Sequence, residues 1–267
     1  MPHILEDLVR CPQCKASHCT LAEAFSCPKC GTTFPMTNGF VDLIPELEFE
    51  RTRAQALMES PTMAKIYDGI LWRRSFWQGN LVLGISFERE ATMILEAARV
   101  RPTSTVLDLA CASGIYARRL ARVATEGRVV GLDLSRPMLE VAVQRARAES
   151  LGNLAFVRGT AQELPCDDGC FDCLNCCGAL HLFPNVSQAL AEIARVLKPG
   201  GRFTMATFRK RSGVIGRAHV SGSEAIGVNC QTPEGLEAAL GPLGFSNPRL
   251  HHDSARWMIM SAERVAC

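Results

Sequence analysis

One stretch of this sequence, Val106-Leu-Asp-Leu-Ala-Cys-Ala-Ser-Gly114, restricts the fold more than any other. Thr105 to Leu109 is a short, β-rich apolar run that carries one acidic residue, Asp108, near its end. A turn of small residues follows, and a helical pattern begins at Ile115. A strand, a tight turn and a helix in this order form the opening unit of a nucleotide-binding α/β sheet.

Acidic residues at the ends of two predicted strands indicate which nucleotide is bound. A turn built for pyrophosphate presents backbone N–H groups and a helix N-terminus to negative charge. Asp108 would repel such a ligand but would attract an ammonium group. Asp133 ends the next predicted strand, where a carboxylate can accept hydrogen bonds from both ribose hydroxyls. The pair favours S-adenosylmethionine, which carries an α-amino group, a sulfonium and no phosphate.

Together these motifs resemble those of the class I, Rossmann-like S-adenosylmethionine-dependent methyltransferases. Phe171-Asp172 and Val196-Leu-Lys-Pro-Gly-Gly201, before a predicted strand at Arg202–Phe208, are also similar to that family. The resemblance covers Phe87 to Ala262, and the subgroup is similar to methyltransferases of ubiquinone/menaquinone synthesis and small-molecule pathways. It implies a set of cofactor-binding residues: Asp108, Ala110, Ser113, Gly114, Asp133, Leu134, Thr160, Ala161 and Asn175.

Three residues depart from the family's pattern. Glycine is usual where Ala110 and Ala112 stand. Alanine adds a Cβ that could crowd the methionine end of the cofactor, although both positions are compatible with negative φ. Thr160 stands where the family often has an aspartate that accepts from the adenine amino group. A threonine hydroxyl can accept one such bond, more weakly, so the sequence leaves the strength of cofactor binding open.

Two Cys-x-x-Cys pairs near the start, Cys11-Pro-Gln-Cys14 and Cys27-Pro-Lys-Cys30, have the spacing of a zinc ribbon. Four thiolates in a tetrahedral shell exclude water, so the predicted Zn²⁺ is structural. The ribbon segment, residues 1–45, carries too little apolar content to fold without the metal. His18 and Cys19, between the pairs, are predicted to lie on the hairpin surface and not to bind the metal.

Residues 46–86 are predicted to form a linker and a helical lid. Two interpretations stay open for its apolar side chains: an aromatic wall of the substrate pocket, or helices packed on the sheet. These side chains are Met58, Met63, Tyr67, Trp72, Phe76 and Trp77. Cysteine pairs before such a domain resemble ribosomal RNA guanine methyltransferases with an N-terminal zinc site. Tyr67 followed by Trp72-Arg-Arg-Ser-Phe76 resembles a plastid and bacterial group of uncharacterised methyltransferases, with one extra residue in the spacing.

Strand and helix patterns alternate through the third predicted unit, residues 87–267. This alternation predicts a Rossmann-like, doubly wound, mainly parallel seven-stranded sheet with an antiparallel C-terminal hairpin. The predicted strands are Thr105–Leu109, Arg128–Asp133, Leu154–Val157, Phe171–Cys176 and Arg202–Phe208, with a hairpin of Asn247–His252 and Arg256–Ala262. The predicted helices are Ile115–Ala124, Pro137–Glu149, Val186–Leu197 and one that starts at Thr232; Arg209–Asn229 is predicted as a loop insertion.

The run Asn175-Cys-Cys-Gly-Ala-Leu-His181 lies where such a fold opens to substrate. Methyl transfer from a sulfonium is an in-line displacement that depends mainly on alignment. A base is needed only if the acceptor must lose a proton, and His181 is the candidate for it. Alternatively, His181 only shapes the pocket or caps the next loop. Cys173 and Cys176 in the fourth strand should point to opposite faces, which argues against a second metal site there.

Composition narrows the function classes. A net charge of +2 gives no argument for a large nucleic-acid-binding surface. The sequence shows no apolar run of membrane-spanning length and no basic-then-apolar leader, so we expect a cytoplasmic protein. The leading hypothesis is O- or C-methylation of a small molecule. The alternatives are a ribosomal or transfer RNA methyltransferase, and a cofactor-binding protein that does not methylate, either a scaffold or cyclase-like. The acceptor and the oligomeric state cannot be read from this sequence.

Overall fold

The computed structural model describes residues 2–5, 7–22, 24–44, 56, 60–67, 83–210 and 227–265. The α-helices are Pro2–Leu5 (α1), Pro61–Ile66 (α2), Phe87–Ala98 (α3), Ile115–Val123 (α4), Arg136–Ala148 (α5), Val186–Val196 (α6) and Pro233–Leu240 (α7). The strands are Thr20–Leu21 (β1), Ala24–Ser26 (β2), Thr33–Thr37 (β3), Phe40–Asp42 (β4), Thr105–Leu109 (β5), Arg128–Asp133 (β6), Leu154–Arg158 (β7), Phe171–Cys177 (β8), Leu197–Phe208 (β9), Phe245–Asp253 (β10) and Trp257–Arg264 (β11).

Within the described residues the strands form one sheet in the order β1-β2-β3-β4-β7-β6-β5-β8-β9-β11-β10. Strands β7, β6, β5, β8 and β9 run parallel to one another, and β11 and β10 close the sheet as an antiparallel pair. The predicted doubly wound fold with its C-terminal hairpin is confirmed. The strand order reverses between β5 and β8, so a crevice opens at the carboxyl ends of these strands.

Helices cover both faces of the sheet with the apolar faces that the sequence pattern predicts. In α5, Leu139, Ala142, Val143 and Ala146 are all buried. The side chain of Ser135 caps this helix by accepting from the N–H of Met138. The same kind of N-cap begins α3, α6 and α7, at Ser86, Asn185 and Thr232. These caps satisfy backbone donors that would otherwise lack partners at a helix start.

The ribbon segment is not a separate unit beside the sheet. Strands β1 to β4 form an antiparallel meander, and β4 then pairs in parallel with β7, with Asp42 opposite Arg158. Its buried apolar side chains share one core with residues of β7 and of the loop after it; they include Ile4, Leu8, Phe25, Phe34 and Val41. Apolar surface that the segment could not bury alone is therefore buried against the sheet.

Cys19 does not lie where the sequence predicted, and some other predictions fall on residues that the structure does not describe. Cys19 is buried, so its predicted surface position is wrong; the core that the segment shares with the sheet encloses it. Met63 and Tyr67 are buried and contact Met138 of α5. Four of the predicted lid side chains lie outside the described residues: Met58, Trp72, Phe76 and Trp77. The predicted boundary at residue 45 and most of the Arg209–Asn229 insertion also lie outside them. Over the described ranges, no helix combines the length and apolarity that crossing a bilayer requires.

Candidate functional site

A cavity of about 740 Å³ opens at the carboxyl ends of the parallel strands. This volume includes the part of the cleft that is open to solvent. The loops after β5, β6, β7 and β8 supply most of the wall, and Tyr67 and Met138 complete it. The loop residues include Ala110, Ala112, Asp133, Leu134, Ser135, Gly159, Thr160, Ala161, Gln162, Gly178, Ala179, Leu182, Phe183 and Pro184.

Asp133 joins two of these loops. One of its carboxylate oxygens, Oδ1, accepts from the N–H of Ser135 over 2.8 Å, and Oδ2 accepts from the N–H of Ala112 over 2.7 Å. Burial raises the pKa of Asp133, although hydrogen bonds from backbone N–H groups oppose this effect. Each carboxylate oxygen can accept more than one bond. Asp133 can therefore hold both loops and still accept from a ligand's hydroxyl groups.

The negative φ that the sequence allows at Ala110 and Ala112 is not what the structure shows. Their φ angles are +55° and +48°, in the left-handed region that favours glycine. The carbonyl of Leu132 accepts from the N–H of Cys111, and Asp133 accepts from the N–H of Ala112, so tertiary contacts fix this turn. An alanine in the left-handed region carries a conformational cost of about 1–2 kcal/mol. The turn thus keeps the backbone path that glycines would take, under strain.

Gly114, also predicted as a cofactor residue, serves the packing of this turn. It has φ of +72° and is the N-cap of α4. A Cβ at this position would lie 3.1 Å from the Cβ of Ala142 and 3.2 Å from the ring of Phe156. Neither Gly114 nor Ser113 lines the cavity. Ser113 is fully buried, and its carbonyl accepts from Nη1 of Arg118 over 2.7 Å.

Asp108 lies beneath the cavity instead of on its wall. Its side chain is 2% exposed, and Oδ1 accepts from Nδ2 of Asn175 over 2.7 Å. Asn175, opposite it on β8, in turn accepts from the hydroxyl of Thr204 on β9 over 3.1 Å. Asn175 is therefore used to hold Asp108, and its amide does not line the cavity.

The second carboxylate oxygen of Asp108 is unusual. Oδ2 is buried and has no hydrogen-bond partner among the described residues. Burial raises the pKa of Asp108 to about 7. A buried acceptor without a partner costs free energy, and an ammonium donor that reached it would remove that cost. The arrangement fits the α-amino group that the sequence assigned to this acid.

Leu134, Thr160 and Ala161 line the cavity where the sequence predicted cofactor contacts. The hydroxyl oxygen of Thr160 accepts from the N–H of Gln162 over 3.3 Å. Sequence reasoning missed Met138 and Phe183 as wall residues. The signal for Met138 was its place one turn after the Ser135 cap, and the signal for Phe183 was its place after the fourth strand.

His181 does not reach the described cavity. It is the middle residue of a short 3₁₀ turn, Leu180–Leu182, and its side chain is buried. Its Nδ1 lies 3.1 Å from the hydroxyl of Thr207, and its ring packs edge-on against Phe208 with centroids 4.5 Å apart. Leu182, which follows it, faces the cavity instead. The 3₁₀ turn thus directs the imidazole away from the wall, a geometry that favours the pocket-shaping alternative.

The four predicted metal ligands come together. The Sγ atoms of Cys11, Cys14, Cys27 and Cys30 all lie within 4.8 Å of one another. Sγ of Cys11 is 3.7 Å from Sγ of Cys30, and Sγ of Cys14 is 3.5 Å from Sγ of Cys27. A tetrahedral shell with Zn–S bonds of about 2.3 Å has S–S edges of about 3.8 Å. The cluster therefore has the size that a zinc ion requires.

Local hydrogen bonds prepare these thiols. The carbonyls of Cys11 and Cys27 accept from the N–H groups of Lys15 and Gly31, which closes both knuckles. Hydrogen bonding with the side chain and the backbone of Thr32 lowers the pKa of Cys30 to about 6. A thiolate is the form that binds a metal.

Cys173 and Cys176, by contrast, pack in two different apolar clusters, on opposite sides of the sheet.

The strands and loops that form the crevice are similar in sequence to known proteins. A family described as a methyltransferase domain matches residues 106–201, from β5 to the Gly-Gly turn of β9. The chain carries a methyltransferase domain. The match begins in β5, just before the turn that holds Ala110 and Ala112, and includes Asp108, Asp133, Thr160 and Asn175. The resemblance to S-adenosylmethionine-dependent methyltransferases is confirmed at the level of this domain.

Two curated relatives extend the comparison beyond the methyltransferase domain. The chain is 27% identical over 197 residues to an uncharacterised chloroplastic methyltransferase of Arabidopsis thaliana, which covers 70% of this chain and 55% of the relative. It is 38% identical over 122 residues to a demethylmenaquinone methyltransferase of Bacillus cereus, which covers 44% of this chain and 52% of the relative. In both comparisons the matched region is only about half the length of the relative.

A solved structure shows the same fold at larger coverage. The phosphoethanolamine N-methyltransferase 2 of Haemonchus contortus superposes with a TM-score of 0.68 at 15% identity. It covers 84% of this chain, and this chain covers 62% of it. At this level of identity the likeness shows the fold alone.

Proposed function

We propose that the methyltransferase domain binds S-adenosylmethionine in the 740 Å³ cavity and transfers its methyl group to an oxygen or carbon of a small molecule. The observation that carries the proposal is the pair of acids at the strand ends. Asp133 lies on the cavity wall, and Asp108 lies below it with a buried oxygen that has no hydrogen-bond partner among the described residues. The two groups match the ribose hydroxyls and the ammonium group of one ligand.

The cofactor, when bound, supplies the electrophilic methyl group. Asp133 would hold the ribose, Asp108 would hold the α-amino group, and the loop with Thr160 and Ala161 would hold the adenine. The protein's own contribution is alignment and exclusion of water, since proximity can supply much of the rate in a displacement of this kind. Tyr67 and Phe183 form apolar parts of the wall that suit exclusion of water.

A small organic acceptor is favoured by the character of this wall. Tyr67, Met138, Leu182, Phe183 and Pro184 are apolar or aromatic, which suits a compact apolar molecule better than a phosphate backbone. The B. cereus relative is named for a quinone-type acceptor, and this name is consistent with such a molecule. His181 is proposed to have a structural role through its contacts with Thr207 and Phe208, with methyl transfer by alignment.

A structural zinc ion is proposed at the four-cysteine cluster. Cys11, Cys14 and Cys27 are at least partly buried, and the four Sγ atoms can fill a tetrahedral shell. Such a shell has no open position for substrate. The metal would hold the two knuckles and, through β3 and β4, the edge of the sheet.

Cofactor binding can be tested first and methyl transfer second. Calorimetry with S-adenosylhomocysteine should give a one-to-one complex, and labelled cofactor should pass its methyl group to a member of a panel of phenols, hydroquinones and activated carbon acids. Absence of any binding would support a domain that has lost its ligand. Transfer only to ribosomal or transfer RNA would support the RNA alternative, whose binding should weaken steeply with salt.

A further inference from the structure

The ribbon segment reaches the cofactor cavity through one buried carboxylate, that of Asp42 at the end of β4. Its side chain is 3% exposed. Nη1 of Arg158 donates to both oxygens of Asp42 over 3.2 Å, and Nη2 of Arg136 donates to Oδ2 over 2.7 Å. The backbone N–H of Ile44 adds a further bond over 3.3 Å. A carboxylate this deeply buried depends on its cationic partners to compensate for lost hydration.

Both arginines come from segments that surround the nucleoside site, the part of the cavity where the ribose and the adenine are proposed to bind. Arg158 ends β7, and its Nε donates to the carbonyl of Leu134 over 2.9 Å. Arg136 is the first residue of α5 and directly follows Ser135. Leu134 and Ser135 line the cavity beside Asp133. The guanidinium of Arg158 therefore contacts the ribbon segment through Nη1 and the cavity loop through Nε.

The same cluster of charges lies between two cavities. A second cavity of about 1540 Å³ is lined by Asp42, Arg136 and residues of the cysteine knuckles such as Gln13 and Thr32. Gly159 and Thr160 belong to the walls of both cavities. The ribbon segment is thus a structural neighbour of the nucleoside site.

We propose that Asp42 is a positioning residue for the cofactor: it fixes Arg158 against Leu134 and so pre-orders the loop of residues 133–136. The ribbon segment then sets cofactor affinity without contacting the cofactor. This inference rests on the proposed function, because it concerns the same cavity. Without Asp42, Arg158 is free to leave the Leu134 carbonyl, and ordering of the loop must accompany binding. Pre-ordering of a site raises affinity by removing that cost.

The test is the affinity of Asp42→Asn for S-adenosylhomocysteine, measured by calorimetry. The change keeps the size of the side chain but removes the charge that holds both arginines. We expect affinity to fall about 5- to 20-fold, within the range of typical couplings between distinct sites. Metal content, measured on the same sample, should equal that of the unmodified protein, which separates the effect from loss of the cysteine cluster.

A matched control is Asp172→Asn. Asp172 is a partly buried carboxylate that pairs with Lys198 over 3.0 Å and accepts from the N–H of Thr105 over 2.8 Å. It lies at the amino end of β8, on the edge of the sheet opposite the cavity. This variant should lose stability and keep its affinity for S-adenosylhomocysteine.

A second variant keeps the proposal testable if Asp42→Asn does not fold. Arg158→Lys retains the charge next to Asp42, but a lysine cannot bridge Asp42 and the Leu134 carbonyl as a guanidinium does. It should weaken binding by a similar factor. A variant that carries both Asp42→Asn and Arg158→Lys should bind S-adenosylhomocysteine as tightly as the single variant with the lower affinity, because both changes remove the same link.

The possible outcomes separate this inference from the proposed function. If the unmodified protein does not bind the ligand, both fail. If it binds and Asp42→Asn binds equally well, only the positioning role of Asp42 is overturned. The same holds if Asp42→Asn and Arg158→Lys weaken binding additively, because additive losses would mean that the two residues act separately.

Discussion

The carboxylate of Asp133 accepts a hydrogen bond from the backbone N–H of Ala112, with 2.7 Å between Oδ2 and the nitrogen. The bond joins the end of β6 to the turn after β5, the two places where the sequence suggested cofactor contacts. It also helps to hold Ala112 at a φ of +48°. The shape of the turn and the position of the proposed ribose acceptor are therefore set by one contact.

Asp133→Asn should weaken binding of S-adenosylhomocysteine by about 1–3 kcal/mol, from the loss of charge-assisted hydrogen bonds. The amide keeps one acceptor oxygen, so it cannot accept from Ala112, Ser135 and both ribose hydroxyls together. Calorimetry measures the loss. Asp253→Asn is the control, because Asp253 pairs with Arg209 at the far edge of the sheet and should leave affinity unchanged. Equal affinity in Asp133→Asn and the unmodified protein would contradict the ribose role.

Ala112→Gly should stabilise the protein by about 0.5–1 kcal/mol. Relief of left-handed strain contributes about 1–2 kcal/mol, and the greater freedom of glycine in the unfolded chain offsets about 0.4–1 kcal/mol of it. Urea unfolding measures the difference. Ala191→Gly, at an exposed position in the middle of α6, is the control, and it should destabilise by about 0.5–1 kcal/mol because glycine disfavours a helix interior. A loss of stability in Ala112→Gly would mean that the turn carries no strain.

Cofactor affinity should rise with pH through about 7. Burial holds the pKa of Asp108 at about 7, above its usual value, so the folded protein without ligand binds a proton there that the unfolded chain does not. By linkage, this group's contribution to stability is full below its unfolded pKa of about 4 and is lost as pH rises toward 7. A ligand ammonium pairs with the ionised form, so binding should release a proton near pH 6.

Calorimetry in buffers of different ionisation enthalpy measures that proton. Asp108→Asn should bind more weakly at pH 8 and should lose most of the pH dependence. If the unmodified protein releases no proton at pH 6 and its affinity does not change between pH 6 and 8, Asp108 does not pair with the ligand.

The cysteine cluster should hold one zinc ion per chain. Elemental analysis of Cys14→Ser/Cys27→Ser should show no bound zinc, because two thiolates are too few for a structural shell. Cys19→Ser is the control: Cys19 is buried in the same segment but is not a member of the cluster, so zinc should stay bound. Retention of zinc by the double variant would place the metal elsewhere.

His181→Asn tests the two roles left open for the imidazole. With the ring packed against Phe208 and directed to Thr207, we expect a loss of thermal stability and little change in the rate of methyl transfer. A general base would contribute about 10²–10⁴-fold. A rate reduced by that factor at unchanged cofactor affinity, with loss of the basic limb of the pH–rate profile, would restore His181 as the base.

The sequence predicted the elements that long, periodic patterns encode. The strands β5 to β8 and the helices α4 to α6 lie within one or two residues of their predicted bounds. The strands are buried on both faces and leave short apolar runs, and the helices leave an apolar face of period 3.6. Strand β9 begins at Leu197, five residues before its predicted start at Arg202. The cysteine ligands could be predicted because their spacing alone fixes a closed knuckle.

Features that depend on tertiary contacts could not be predicted. Ala110 and Ala112 adopt positive φ because contacts with Leu132 and Asp133 hold the turn, and these partners lie about twenty residues away. Strand β4 has only three residues, too few for a pattern to reveal its pairing with β7. The direction of the His181 ring depends on a single 3₁₀ turn, which sequence periodicity does not resolve.

The pairing of β4 with β7 also changes which part of the sheet can meet another chain. Without residues 40–42, the N–H and C=O groups along one side of β7 would be exposed as a free sheet edge, a template for pairing between molecules. Among the strands that the structure describes, that side ends at β1, which has only two residues. The opposite edge, β10, carries Pro248 and two register irregularities. Short, interrupted edges resist strand addition, so the ribbon segment should keep the protein soluble, and its removal should cause aggregation.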